Sequence, residues 1–123
     1  GTISQFTGGN NAQDDVINDM RVGLDGRVYG VGRTLGNFAD TNGGTNDVFI
    51  FSLNADGTLN WGHQAGASSS LDTDDGEICE AASLGPVGNI TCIGTSNGGF
   101  SESNANSGTR DLILWRLDNN GNE

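Results

Sequence analysis

The chain contains the same sequence pattern twice, at a spacing of roughly 60 residues. Residues 26–34 (GRVYGVGRT) and 46–57 (NDVFIFSLNADG) recur as residues 88–96 (GNITCIGTS) and 110–121 (RDLILWRLDNNG). A repeat of this length is one supersecondary unit, which needs a neighbouring unit to cover its apolar faces. The repetition therefore constrains the architecture more strongly than any single residue does.

Short β-branched and aromatic segments, separated by Gly, Asp and Asn, predict an all-β fold of antiparallel strands. Asp25 and Gly26 lie between two such segments and predict a hairpin with a tight primed turn, because Gly tolerates positive φ. The segment 48–53 is apolar on both faces, which predicts a strand covered on both sides. The strands expected in the first copy are 16–22, 27–34, 48–53 and 58–61, and those in the second are 78–84, 89–96 and 112–117.

The second copy lacks a counterpart of the fourth strand, whereas the N-terminus resembles that strand. Thr2 and Ile3 match Thr58 and Leu59, and Phe6 lies near the position of Trp61. An exposed strand edge is usually covered, so we expect the N-terminal strand of this chain, of a neighbouring chain or of a symmetry-related chain to complete the second unit. The predicted organisation is a strand donor at 1–9, a first repeat at 10–66 and a second repeat without its fourth strand at 67–123.

Charge and hydropathy argue against two classes of partner. The formal net charge is −11, and the 5 basic residues are scattered arginines, so a nucleic-acid backbone would be repelled. Membrane insertion is not expected either, because no apolar stretch approaches the ~20 residues that a transmembrane helix needs.

The order of the motif residues resembles that of bacterial SBBP-type β-propeller repeats. This resemblance implies four-stranded blades arranged radially in secreted or cell-surface bacterial proteins, with no shared catalytic residues. Two departures, Cys92 in place of Gly30 and Glu80 in place of Asn18, predict that the two units do not pack identically. The matching residues are Gly26, Tyr29, Gly32, Thr34, Phe38, Asp47, Phe49, Ile50, Leu53, Asp56, Gly57 and Trp61 in the first copy, and Gly88, Asn89, Ile90, Gly94, Thr95, Phe100, Asp111, Ile113, Leu117, Asn120 and Gly121 in the second.

Two blades cannot close a propeller, which needs roughly four to eight. The expected partners are therefore copies of the same chain, in a ring or a filament, or flanking repeats of a longer polypeptide. We expect a non-catalytic, self-assembling structural protein joined head-to-tail by strand complementation. The alternatives are a lectin-like or protein-binding propeller and a fragment of a larger surface propeller protein. Phe38, Asp40 and Phe100 are the candidate contacts of a binding propeller, although both phenylalanines also fit plugs that pack a loop onto its own sheet.

The densest acidic segment contains Asp72, Asp74, Asp75 and Glu77, and it is the candidate metal site. Carboxylates at alternate positions near a Gly suit Ca²⁺, which binds six to eight oxygens, but a solvated loop fits the same residues. No other cofactor is expected. His63 is the single histidine, so one chain cannot supply a two-histidine metal site, and no enzymatic activity is predicted.

Two further features concern covalent modification. In the hairpin register of the first copy, Cys92 faces Ser83, and Cys79 lies four residues further along. That separation is ~13 Å, beyond the Cα limit of ~7 Å for a disulfide, so the register favours two buried thiols, although a shift at the 85–88 loop would permit a bond. Asn89 begins the sequon Asn-Ile-Thr at an expected strand start, which is a candidate glycosylation site in a secreted protein.

Overall fold

The computed structural model describes residues 13–43, 46–66, 76–96 and 110–123. The described residues form two antiparallel sheets and contain no helix, which confirms the all-β prediction. The first sheet has the order β1-β2-β3-β4, and the second has the order β5-β6-β7. The strands are β1 (Asp15–Val22), β2 (Val28–Thr34), β3 (Asp47–Leu53), β4 (Leu59–Ala65), β5 (Ile78–Leu84), β6 (Ile90–Ser96) and β7 (Asp111–Leu117).

The hairpin turns depend on Gly as expected, but they are wider than a tight primed turn. Val22 pairs with Val28, so residues 23–27 form the connection between β1 and β2. Within it, the Gly26 N–H donates to the Gly23 carbonyl at 3.0 Å, and Gly26 has a φ of 81°. One left-handed glycine after a hydrogen-bonded turn is typical of the longer hairpin loops. The same arrangement recurs at residues 85–89 of the second sheet.

A β-bulge occurs at the same place in both sheets, at Asn18 in β1 and at Glu80 in β5. Beside each bulge the first strand approaches the second so closely that a Cβ on Gly32 would overlap the carbonyl oxygen of Val16. A Cβ on Gly94 would likewise overlap the carbonyl oxygen of Ile78. The repeated glycine is therefore required by the close approach of the neighbouring backbone.

The two sheets pack face to face and share one hydrophobic core. We call the faces that meet the inner faces and the opposite ones the outer faces. Asn18 Nδ2 donates to the Cys79 carbonyl at 2.7 Å, and the Ala82 N–H donates to Asp19 Oδ2 at 2.9 Å, so hydrogen bonds also join the sheets. The buried core residues are Tyr29, Val31, Val48 and Ile50 of the first sheet and Cys79, Ala82, Ile90, Cys92, Ile113, Trp115 and Leu117 of the second.

Cys79 and Cys92 form a disulfide, so the expectation of two thiols is wrong. The expected register assumed a regular ladder, whereas the bulge at Glu80 adds one residue to β5. Cys92 consequently pairs with Ala82 instead of Ser83, and Cys79 pairs with Gly94. The two Cα atoms are then 5.8 Å apart, within the usual range for a disulfide.

The outer face of the first sheet is covered at its centre by aromatic side chains. Phe49 and Phe51 of β3 are buried there, and Phe38 from the β2–β3 connection stacks on Phe49 with ring centroids 4.6 Å apart. The inner face of β3 is buried as well, which confirms the prediction of a strand covered on both sides. Gly30 is the equivalent of Cys92, and the ring of Phe51 fills the space where a side chain at Gly30 would lie.

Candidate functional site

The acidic segment proposed for calcium is only partly within the described residues. Asp72, Asp74 and Asp75 lie outside them, whereas Glu77 is fully buried and accepts a hydrogen bond from Ser96 Oγ at 2.8 Å. Thr34 Oγ1 donates in the same way to Asp15 Oδ1 at 2.5 Å in the first sheet. Both repeats therefore use an acid–hydroxyl pair to tie the first strand to the second.

A calcium site stays a prediction. Within residues 13–43, 46–66, 76–96 and 110–123, no three His, Cys, Asp or Glu side chains are grouped so that they could hold a metal ion. At two described turns, the aspartates instead accept hydrogen bonds from groups of the same turn. Hydrogen bonds from the backbone and side chain of Asn122 lower the pKa of Asp118, and the Thr58 hydroxyl and N–H lower that of Asp56.

The loop proposed for ligand binding is anchored by the buried side chain of Gln64. Its Oε1 accepts the N–H groups of Phe38 at 2.7 Å and Ala39 at 3.2 Å. Its Nε2 donates to the Gly36 carbonyl at 2.9 Å and to Asp47 Oδ2 at 2.8 Å. The amide therefore holds the loop to β4 and to the start of β3.

The two described candidates in this loop have different environments. Phe38 packs on the aromatic side chains of its own sheet, as a structural plug would. Asp40 is exposed, and its Oδ1 accepts the N–H of Thr41 at 2.8 Å. Residues 37–41 line a shallow depression of about 280 Å³. Phe100 lies outside the described residues, so its proximity to Phe38 and Asp40 stays a prediction.

A second depression lies at the opposite end of the sheets, and the sequence analysis did not single it out. It has a volume of about 450 Å³ and lies between the β1–β2 and β5–β6 turns. Leu24 and Val87 are exposed there, beside Arg21 and Asp25. These turn residues differ between the two copies, so the repeat pattern gave no signal for them.

His63 lies on β4 next to Trp61, with ring centroids 5.7 Å apart. Trp61 Nε1 donates to the Asn119 carbonyl of the second sheet at 3.1 Å, so this aromatic pair lies at the junction of the sheets. The structure thus supports the interpretation of His63 as a packed neighbour of Trp61.

Asn89 is half-buried at the end of the β5–β6 turn, where its carbonyl accepts the Gly85 N–H at 2.8 Å. The sequon therefore lies at a strand start, as expected, and its glycosylation stays a prediction.

The second sheet reproduces the first three strands of the first sheet with the same register. Val31 pairs with Ile50 in the first sheet, and the equivalent residues Ile93 and Leu114 pair in the second. The first sheet continues with β4 beside β3, whereas the described part of the second sheet ends with β7. Thr2, Ile3 and Phe6, the expected donor residues, lie outside the described residues.

Among the described residues there is no helix long and apolar enough to cross a membrane. Comparison with protein-family models and with curated proteins finds no match to this chain. The β-propeller repeat family therefore stays a prediction that the sequence motifs carry.

Proposed function

We propose that the protein is a non-catalytic, self-assembling structural protein whose subunits join head-to-tail by strand complementation. One observation carries the proposal. The two sheets share the strand order, the register and the bulge of their first three strands, and the first sheet has a fourth strand beside the third. The equivalent position in the second sheet, beside β7, is where a donated strand fits. In this arrangement the sheets act as blades of a propeller shared between chains.

The repeat also favours a donor from another copy of the chain. β4 immediately precedes β5 in the sequence, and it belongs to the sheet that packs on the inner face of the second sheet. Residues 1–9 precede β1 in the same way, so by equivalence we propose that they join a sheet on the outer face of the first sheet. The second sheet of the same chain lies on the opposite side, against the inner face. In a head-to-tail contact, the second sheet of another chain lies on the outer face of the first sheet and receives the donated strand.

We propose an extracellular or cell-surface location for this assembly. The Cys79–Cys92 disulfide supports it, because structural disulfides persist in oxidising compartments and are rare in reducing ones. A net charge of −11 opposes non-specific aggregation, because chains of like charge repel one another.

Light scattering combined with size-exclusion chromatography tests the proposal on the whole chain. The expected mass is a multiple of 12.7 kDa, and a folded 12.7 kDa monomer at high protein concentration would contradict the proposal. Ile3→Asp should weaken the assembly, because Ile3 is an apolar residue of the expected donor strand. Ser4→Asp is the matched control, since it adds the same charge to the adjacent polar residue. An excess of a synthetic peptide of residues 1–9 should also dissociate the assembly, whereas a scrambled peptide should not.

A further inference from the structure

The outer face of the second sheet carries an apolar patch on two neighbouring strands. Ile93 of β6 pairs with Leu114 of β7, and Leu112 lies two residues from Leu114 on the same face. The exposed fractions of these three side chains range from 44% to 76%. A contiguous exposed apolar patch is typical of a protein–protein contact site.

The first sheet shows how these same positions are covered. Val31, Val48 and Ile50 are the equivalents of Ile93, Leu112 and Leu114, and each is fully buried. They belong to the inner face, on which the second sheet packs. The repeat therefore identifies the kind of surface that fits the patch, namely a sheet face like the inner face of the second sheet.

The chain presents such a face a second time. Cys79, Ala82 and Leu84 are the β5 residues of the inner face that packs on the first sheet. Their equivalents in β1 are Ile17, Met20 and Val22, which lie on the outer face of the first sheet. These three side chains are 55% to 61% exposed. The exposed β1 side of the first sheet's outer face and the outer face of the second sheet are therefore the two sides of a contact that the chain already makes internally.

We propose that the outer face of the second sheet docks on the outer face of the first sheet of a second copy, reproducing the internal packing of the two sheets. The inference rests on the head-to-tail assembly proposed above, but it uses sheet faces instead of a donated strand. Because two different surfaces meet, the contact is heterologous and leaves one of each surface free at the ends of an open assembly.

The contact between copies should be weaker than the contact within a chain. Internally, Asn18 donates to the Cys79 carbonyl and Asp19 accepts from the Ala82 N–H. The residues of the second sheet at these positions are Glu80 and Ala81. An ionised carboxylate cannot donate a hydrogen bond, and alanine has no side-chain acceptor, so neither bond can be repeated between copies. We therefore expect an association that depends on protein concentration.

Sedimentation equilibrium of the full chain and two single variants tests the inference. Leu114→Asp alters the outer face of the second sheet, and Met20→Asp alters that of the first. Each variant should self-associate at least about 30-fold more weakly than the wild type, because a charge replaces a side chain that becomes buried in the contact. An equimolar mixture should form a one-to-one complex, since each variant retains one intact face.

Val87→Asp is the matched control, because it places the same charge on an exposed apolar residue of the second sheet outside both faces. The first repeat has Asp25 at this position, so the fold accepts an aspartate there. The control should associate like the wild type. The variant Glu80→Asn supplies the missing donor for the Ile17 carbonyl, which is the equivalent of the Cys79 carbonyl in the second copy. It should associate about fivefold more tightly than the wild type, in a reversible complex of the same mass.

The results separate this inference from the strand-donation proposal. Wild-type association by Leu114→Asp, or a mixture that forms no complex, would overturn the face contact. If Ile3→Asp abolishes association in that case, strand donation stands alone. Loss of association in Leu114→Asp but not in Met20→Asp would show that like faces meet, which also overturns the inference. If Leu114→Asp and Met20→Asp both weaken association while Ile3→Asp does not, the face contact is supported and strand donation is contradicted.

Discussion

Removing the Cys79–Cys92 disulfide should lower the free energy of unfolding by about 3 kcal/mol. The two cysteines are 13 positions apart in sequence, so the bond closes a loop of that size in the unfolded chain. The loop-entropy relation gives about 3 kcal/mol at 25 °C for such a loop. Domains of this kind have total stabilities of about 5–15 kcal/mol, so the loss is a substantial fraction. In urea, an m-value of about 1–3 kcal/mol per M translates it into a midpoint lower by about 1–3 M.

Urea unfolding of Cys79→Ala, Cys92→Ala and the double variant measures this loss, with tryptophan fluorescence reporting on the buried Trp115. Either single substitution breaks the same bond, so all three variants should lose nearly the same stability. Two separate buried thiols would instead give losses that add in the double variant. Additive losses, or full alkylation of both cysteines in denaturant without a reductant, would refute the disulfide and the stabilisation assigned to it.

Three further predictions concern backbone packing, pH and salt. Gly94→Ala should cost more than about 2 kcal/mol of unfolding free energy, because its Cβ would overlap the Ile78 carbonyl, whereas Gly85→Ala should change it by less than about 0.5 kcal/mol. Asp19 has a lowered pKa, mainly because its carboxylate accepts a hydrogen bond from the Ala82 N–H. The ionised Asp19 side chain therefore stabilises the fold fully above the usual carboxyl pKa of about 3.9. This stabilisation is lost as the pH falls through the lowered pKa. Denaturation at a series of pH values should therefore show Asp19→Ala less stable than the wild type at pH 7, with the difference shrinking below about pH 4. Raising the salt concentration from about 0.05 to 0.5 M should strengthen self-association measured by sedimentation, because it screens the repulsion between chains of net charge −11, and weaker association in high salt would contradict this reasoning.

The strands and turns could be predicted because their determinants are local. Alternating apolar residues located the seven described strands to within a few residues, with the fourth strand longer than expected. Gly26, Gly57 and Gly88 each lie in a hairpin turn with positive φ, as the repeated Gly at these positions suggests. Gly121 also has positive φ, in the turn that follows β7. The apolar pattern of 48–53 also predicted correctly that β3 is covered on both sides.

The disulfide could not be predicted in the same way, because it depends on the register between β5 and β6. Which of two equivalent apolar residues is buried also could not be predicted, because that depends on how the two sheets pack. One extra residue at Glu80 moves Cys79 close to Cys92, and nothing in the composition of β5 marks the position of that bulge. The only local sign was the repeated glycine, Gly32 and Gly94, whose missing side chain makes room for the neighbouring strand. Likewise, Leu114 and Ile50 look equivalent in the sequence, yet one is exposed and the other fully buried.

The described residues of each chain form two sheets, and this number restricts the size of a closed assembly built from them. A ring in which each chain contributes these two sheets contains an even number of sheets. Radial β-sheet rings close with roughly four to eight sheets, so the permitted rings contain two, three or four chains. Rings of five or seven sheets are excluded by arithmetic alone. The mass of a closed particle therefore reports the angle between successive sheets, since that angle alone selects among the three sizes.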